Sequence, residues 1–220
     1  MATSTSRSIF GSLSGSAGKV VYSSWKGIGY SRSKPVRVAN PRTPGQLVQR
    51  AKLKVIIAFL QPLTLFLRIG FKGRTAKMSA YNAAMSYHLK NAITGKYPNY
   101  GIDYSKAMVS QGSLPGAKNP TVTSPLAGQL EFTWEDEWME SVSRPDDKVM
   151  LVVYNPVRQE AVTLVGGNTR QTGRQVITIP SSFHGEEVQC YIAFLNEVEK
   201  LVSDSRYLGA VAVKGEGERK

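Results

Sequence analysis

Seven short runs of apolar and β-branched residues recur through the last hundred residues, at 121–123, 129–134, 148–154, 161–165, 175–179, 188–194 and 207–213. Turn chemistry lies between them, including Arg144-Pro145-Asp146-Asp147, Asn155-Pro156, Gly166-Gly167-Asn168 and His184-Gly185. Seven strands in about a hundred residues is the pattern of a Greek-key β-sandwich of Ig-like or fibronectin type. Trp134 on an early run and Tyr191 on the penultimate one take the places of its large core aromatics. Cys190 falls in the alternating run 188–194 and reads as a small buried hydrophobe. As the sole cysteine it excludes an intramolecular disulfide and fits synthesis in a reducing cytoplasm.

The first half reads differently. Residues 1–18 are rich in Ser, Gly and Thr and read as a flexible arm, without the apolar core of a secretory signal. Residues 19–25 and 28–32 then form a hairpin candidate around Lys26-Gly27, in which cations alternate with Tyr22, Trp25 and Tyr30. The sharpest local signal is Asn40-Pro41-Arg42-Thr43-Pro44-Gly45-Gln46. There Thr43 is placed to cap a helix, Pro44 takes the first position where its missing N–H costs nothing, and Gln46 closes a capping box. That helix is expected to run to Pro62, which kinks it or hands over to a short helix ending at Gly70. A further helix is expected from a Thr75 cap to a Gly95 stop, with Met78, Tyr81, Met85, Leu89 and Ala92 as its apolar stripe against the first helix. Residues 97–120, punctuated by Pro and Gly, read as a linker.

Charge follows the same division. Residues 1–120 hold eighteen bases against one acid, Asp103, about +17, whereas residues 121–220 hold ten bases against fifteen acids, about −5. A segment with almost no counter-charge of its own repels itself and is stabilised beside a polyanion. Arg and Lys neutralise phosphates, and exposed aromatics stack on bases, so Lys26, Arg32, Arg42, Arg50, Lys52 and Lys54 are the candidate polyanion contacts. Trp25 and Tyr30 are the candidate stacking or packing partners.

Catalytic and metal chemistry find little material. The two histidines, His88 on a helix flank and His184 in a turn, are far apart and Cys190 is the only thiol, so no cofactor or metal is expected. Gly15-Ser16-Ala17-Gly18-Lys19 resembles a phosphate-binding loop only in part, because Leu13 stands at the first Gly and Val20 at the magnesium-binding hydroxyl. Glu131, Glu135, Asp136, Glu137 and Glu140 surround Trp134 and Trp138 as a solvated acidic rim, without the alternation of a calcium loop. The longest apolar run, 55–60, stops well short of a bilayer span.

Trp25-Lys26-Gly27, Asn40-Pro41-Arg42-Thr43-Pro44, Gln46-Leu47 and Arg50 together resemble an uncharacterised family from Bacteroidota and their phages. Phe59-Leu60-Gln61-Pro62, Tyr97-Pro98-Asn99 and Ser203-Asp204-Ser205-Arg206-Tyr207 extend the likeness along the chain. More loosely, the chain resembles small proteins encoded among phage and prophage structural genes. The resemblance implies synthesis in the bacterial cytoplasm, a virion or assembly role and other subunits as partners, and no activity. The expectation is an α+β protein: arm 1–18, basic hairpin and helical hairpin 19–96, linker 97–120, β-sandwich 121–213 and polar tail 214–220. Its function is expected to be non-enzymatic and structural, with the basic half docked on nucleic acid or an acidic protein surface. The alternative is a cytoplasmic DNA- or RNA-binding protein of low sequence specificity.

Overall fold

A computed structural model describes residues 3–4, 13–25, 28–36, 40, 42–74, 78–135 and 143–215. The chain divides into two compact units, residues 1–43 and 44–220. The first unit is an antiparallel four-stranded meander, β1 (Thr3–Ser4), β2 (Leu13–Ala17), β3 (Val20–Trp25) and β4 (Ile28–Ser33), paired in that order. Residues 13–17 are thus a strand, in correction of the expected arm. Their Ser/Gly composition has little intrinsic strand preference, and pairing to β3 supplies the order.

The second unit begins with α1 (Pro44–Leu60), which starts on the predicted proline. A 3-10 turn at 61–63 carries Pro62 and hands over to α2 (Thr64–Gly70), as the sequence suggests. Helix α3 covers Ala80–Asn91 and is capped by the Ser79 hydroxyl, which accepts from the Asn82 N–H. Thr75, the expected cap, lies outside the described residues. Gly95 does not stop this helix: it belongs to a hairpin, β5 (Ile93–Lys96) and β6 (Asn99–Ile102). Its φ of +88° and a carbonyl of Asn99 only 2.4 Å from where a Cβ would sit both require glycine there. Of the expected stripe, Ala92 is buried and Tyr81, Met85 and Leu89 are partly buried against the core, while on α3 itself the buried positions are Ala80, Ala84 and His88.

All seven expected strand runs are strands: β7 (Lys118–Thr123), β8 (Gln129–Glu135), β9 (Lys148–Asn155), β10 (Glu160–Thr169), β11 (Arg174–Thr178), β12 (Glu187–Asn196) and, after a two-residue β13 (Leu201–Val202), β14 (Arg206–Ala212). One sheet has the order β11-β8-β7, and the other β10-β9-β12-β13, with β14 also paired to β12. Leu130, Phe132 and Trp134 of the small sheet pack with Val149, Leu151 and Val153 of β9 and Cys190, Ile192 and Phe194 of β12, which makes a β-sandwich core.

The large sheet is covered on its other face as well. Met150, Val152 and Tyr154 of β9 and Tyr191, Ala193 and Leu195 of β12 point away from the sandwich core into a second core with Phe59, Leu63 and Leu67 of the helices. Side chains alternate along a strand, so a strand buried on both faces reads as an unbroken apolar run. Tyr191 is therefore a helix-side residue and not a sandwich-core aromatic; its hydroxyl donates to the Tyr104 carbonyl at 2.9 Å.

This third layer joins helices and sandwich into one unit, and the division falls at Thr43–Pro44 instead of within 97–120. The 97–120 segment is packed. Ala107, Val109, Leu114 and Ala117 are buried. The N–H of Gln111 donates to Gly70, that of Leu114 to Val202 and that of Ser205 to Ser110. A buried ion pair secures the same segment. Arg170 reaches Asp147 at 3.3 Å, donates to the carbonyls of Pro115 and Gly116, and lies 3.9 Å over the Phe194 ring.

Candidate docking surface

Register sorts the N-terminal sheet into two faces. Val21 opposes Arg32, Ser23 opposes Tyr30 and Trp25 opposes Ile28, so these six side chains share one face. Tyr22 pairs with Ser31 on the other, beside Ser24, Gly29 and Ser33. The first face is apolar and aromatic with an arginine at one end, and it is open: Trp25 is 51% exposed, Ile28 71% and Tyr30 48%. Among the described residues of this unit with a defined exposure, none is buried. A sheet normally owes its stability to a covered hydrophobic face. The unit holds seven Lys or Arg and no Asp or Glu.

The sequence candidates fall on different surfaces. Arg32 is on the aromatic face, Arg42 is exposed just before α1, and Lys26 lies outside the described residues. On α1, Arg50 and Lys54 are one turn apart and exposed, with Ile57 beyond them. Lys52 departs from this face: its Nζ lies 5.4 Å from the centroid of the Tyr100 ring on β6. Lys54 borders a groove of about 510 Å³ between α1, the β5–β6 turn and the end of β9, floored by Val55, Phe59 and Ile102 and walled by Tyr100, Tyr104 and Tyr154.

Carboxylates of the second half are held by its own arginines: Glu131 by Arg174 at 2.9 Å, Glu186 by Arg158 at 3.0 Å, Glu199 by Arg144 at 2.6 Å, and Asp147 by buried Arg170. Glu135 reaches back to Lys118 at 3.3 Å, and the Asn119 amide, then Lys118, hold its carboxyl below the ordinary range. Asp103, the lone acid of the first half, is bound by Ser105 and Lys106, which lower its pKa in that order of effect. Asp136, Glu137, Glu140 and Trp138 of the acidic rim lie outside the described residues.

Buried reactive groups sit in structural settings. Cys190 is buried in the sandwich core, where desolvation pushes its thiol up to about 12. His88 is not the flank residue expected but is fully buried; its Nδ1 bonds the Ala84 carbonyl at 2.7 Å and its Nε2 has no partner. Desolvation lowers its pKa and the Ala84 bond opposes that only in part. Among the described residues no group of three or more His, Cys, Asp or Glu side chains could hold a metal. The 44–70 stretch is long and apolar enough to cross a bilayer by length and composition, but Ile56, Phe59, Leu60, Leu63, Phe66 and Leu67 are buried in the helix–sheet core.

Fold and surface define a helix-backed β-sandwich protein with a basic sheet before it in the chain, among whose described residues none with a defined exposure is buried. The chain belongs to the family of unknown function DUF6266, whose sequence profile matches residues 12–209. No curated protein matches it. Among solved structures it is similar to the fibronectin type III domain of the human collagen alpha-1(XX) chain, at 11% identity and a TM-score of 0.34, over 50% of this chain and 97% of that one.

Proposed function

We propose that this is a non-enzymatic structural protein of phage or prophage type, in which the basic N-terminal half docks on an anionic partner, either nucleic acid or an acidic surface of a larger assembly. The observation that carries the reading is the sheet of residues 3–43: seven bases, no acid, no buried described residue, and Trp25, Ile28, Tyr30 and Arg32 together on one open face. An apolar face among like charges is unfavourable in water alone; an anionic partner that covers it relieves both costs at once. Arg50 and Lys54 on α1 add cations without acidic neighbours in sequence. The sandwich is read as fibronectin-type, because β10 pairs with β9 and leaves three strands in one sheet and the rest in the other. In this role it faces outward or meets a neighbouring subunit.

The test is binding of the purified chain to duplex DNA, single strands and polyglutamate across a salt series. Docking through several phosphates gives a logarithmic salt slope of roughly −0.9 per phosphate on duplex DNA, and Arg32→Gln reduces it by about one contact. Binding to none of these polyanions at low salt refutes the reading.

A further inference from the structure

Residues before and along α3 line a cleft of about 520 Å³ that includes none of the α1 candidates. Its polar lining among the described residues is Arg74, Ser86, Tyr87, Lys90, Asn91 and Gln111, and Gly73, Met78 and Ala83 also line it. Among the described residues no carboxylate lines it. Arg74 and Lys90 line it and are exposed, so both cations stay hydrated. The Asn91 amide is oriented by its bond to the Tyr87 carbonyl at 2.9 Å. A second cleft of about 430 Å³ shares Gly73, Arg74 and Gln111 with the first and adds Lys200. Asp204 lines that second cleft, and its Oδ1 already accepts from the Gly112 N–H at 3.0 Å.

We infer that the first cleft binds a phosphate ester of about nucleotide size. A concavity lined by cationic and neutral groups focuses positive potential, and Arg presents the paired donors that match phosphate oxygens while Lys adds a point charge. The volume lies within the range of small-ligand sites and far exceeds a bare phosphate. The Tyr87 ring, braced edge-on against His88 at 5.6 Å, and the Met78 side chain supply the apolar wall for the organic part. Asp204 places the anionic end of the ligand in the first cleft and away from the second. Two sources carry this chemistry, a free nucleotide and the terminal phosphate of a nucleic-acid strand. The inference goes beyond the docking role of the N-terminal sheet and does not depend on it.

The experiment titrates the full chain with fluorescent N-methylanthraniloyl-ADP, using inorganic pyrophosphate and 5′-phosphorylated oligothymidylate as competitors. The expected result is saturable binding that Arg74→Gln and Lys90→Gln each weaken by about tenfold, as loss of a charged hydrogen bond predicts, with Arg74→Lys recovering only part of the lost affinity. Arg32→Gln leaves this binding unchanged. Competition by the phosphorylated strand but not by its 5′-hydroxyl form assigns the strand end as source; competition by pyrophosphate alone assigns the free ligand. Absence of saturable binding by the wild-type chain, or equal binding by wild type and the Arg74→Gln/Lys90→Gln double variant, overturns the inference. Salt-dependent strand binding weakened in Arg32→Gln, together with no saturable nucleotide binding by the wild-type chain, overturns the cleft while leaving the docking reading standing.

Discussion

The two units solve the problem of folding in opposite ways. Residues 44–215 build two cores on the two faces of one sheet, so that β9 and β12 are buried on both sides. In the N-terminal sheet none of the described residues with a defined exposure is buried, and Trp25, Ile28 and Tyr30 stay about half exposed or more. Acids follow the same contrast: Glu131, Asp147, Glu186 and Glu199 of the larger unit are paired with its own arginines, whereas the smaller unit has no acid at all. Burial makes one region self-sufficient, and the other has its apolar face and its charge available to a partner.

The largest effects are expected inside the larger unit. Asp147→Ala strands Arg170 without its counter-ion and should cost about 3–5 kcal/mol in chemical denaturation. Phe59→Ala on the helix side and Phe132→Ala on the sandwich side should each cost about 3–5 kcal/mol. Both should also lower the same single transition; two separated transitions would break the claim that helices and sandwich are one unit.

Next in size is Gly112→Ala. A Cβ there would sit 2.0 Å from the Val202 carbonyl oxygen, so the 112–114 segment must shift off the sandwich, at about 1–3 kcal/mol. Thermal melting measures this, and an unchanged Tm would mean that the segment is a free linker after all.

The pH dependence is smaller. Burial lowers the His88 pKa from 6.5, so the unfolded chain takes up a proton before the folded one does. Stability from this residue is intact above pH 6.5 and declines as pH falls through that value toward the lower folded pKa. Denaturation at pH 7 and pH 5 should show the decline in the wild type and a reduced one in His88→Leu. At the low end, Trp25→Ala and Arg32→Gln should change stability by less than about 0.5 kcal/mol, since neither side chain is buried. A large loss in either would show that the N-terminal sheet has a hidden core.

Most strands were legible because β-branched runs and turn residues alternate at short range, and α1 because Pro44 follows Thr43, a residue type suited to a helix start. The third layer was not legible, although its trace is present: 149–154 is apolar at every position, which marks burial on both faces, yet a sandwich core alone accounts for much of the same run. The segment 97–120 has linker composition although it is packed, and its Gly112 serves close backbone approach. Gly112 against Val202 and the Pro115 and Gly116 carbonyls on Arg170 are contacts across more than fifty residues that no local pattern encodes. Of the surface, the bases could be read directly, but not that Lys52 turns to Tyr100 while Arg50 and Lys54 stay outward, nor that Arg74 and Lys90 share a cleft.

Amide hydrogen exchange across residues 13–36, with and without saturating oligothymidylate or polyglutamate, tests the docking account most directly. The prediction is fast exchange in β3 and β4 of the free chain, slow exchange in β9 and β12, and marked protection of β3 and β4 when the anionic partner is bound. Slow exchange in β3 and β4 of the free chain, or no added protection from either polyanion, would contradict it.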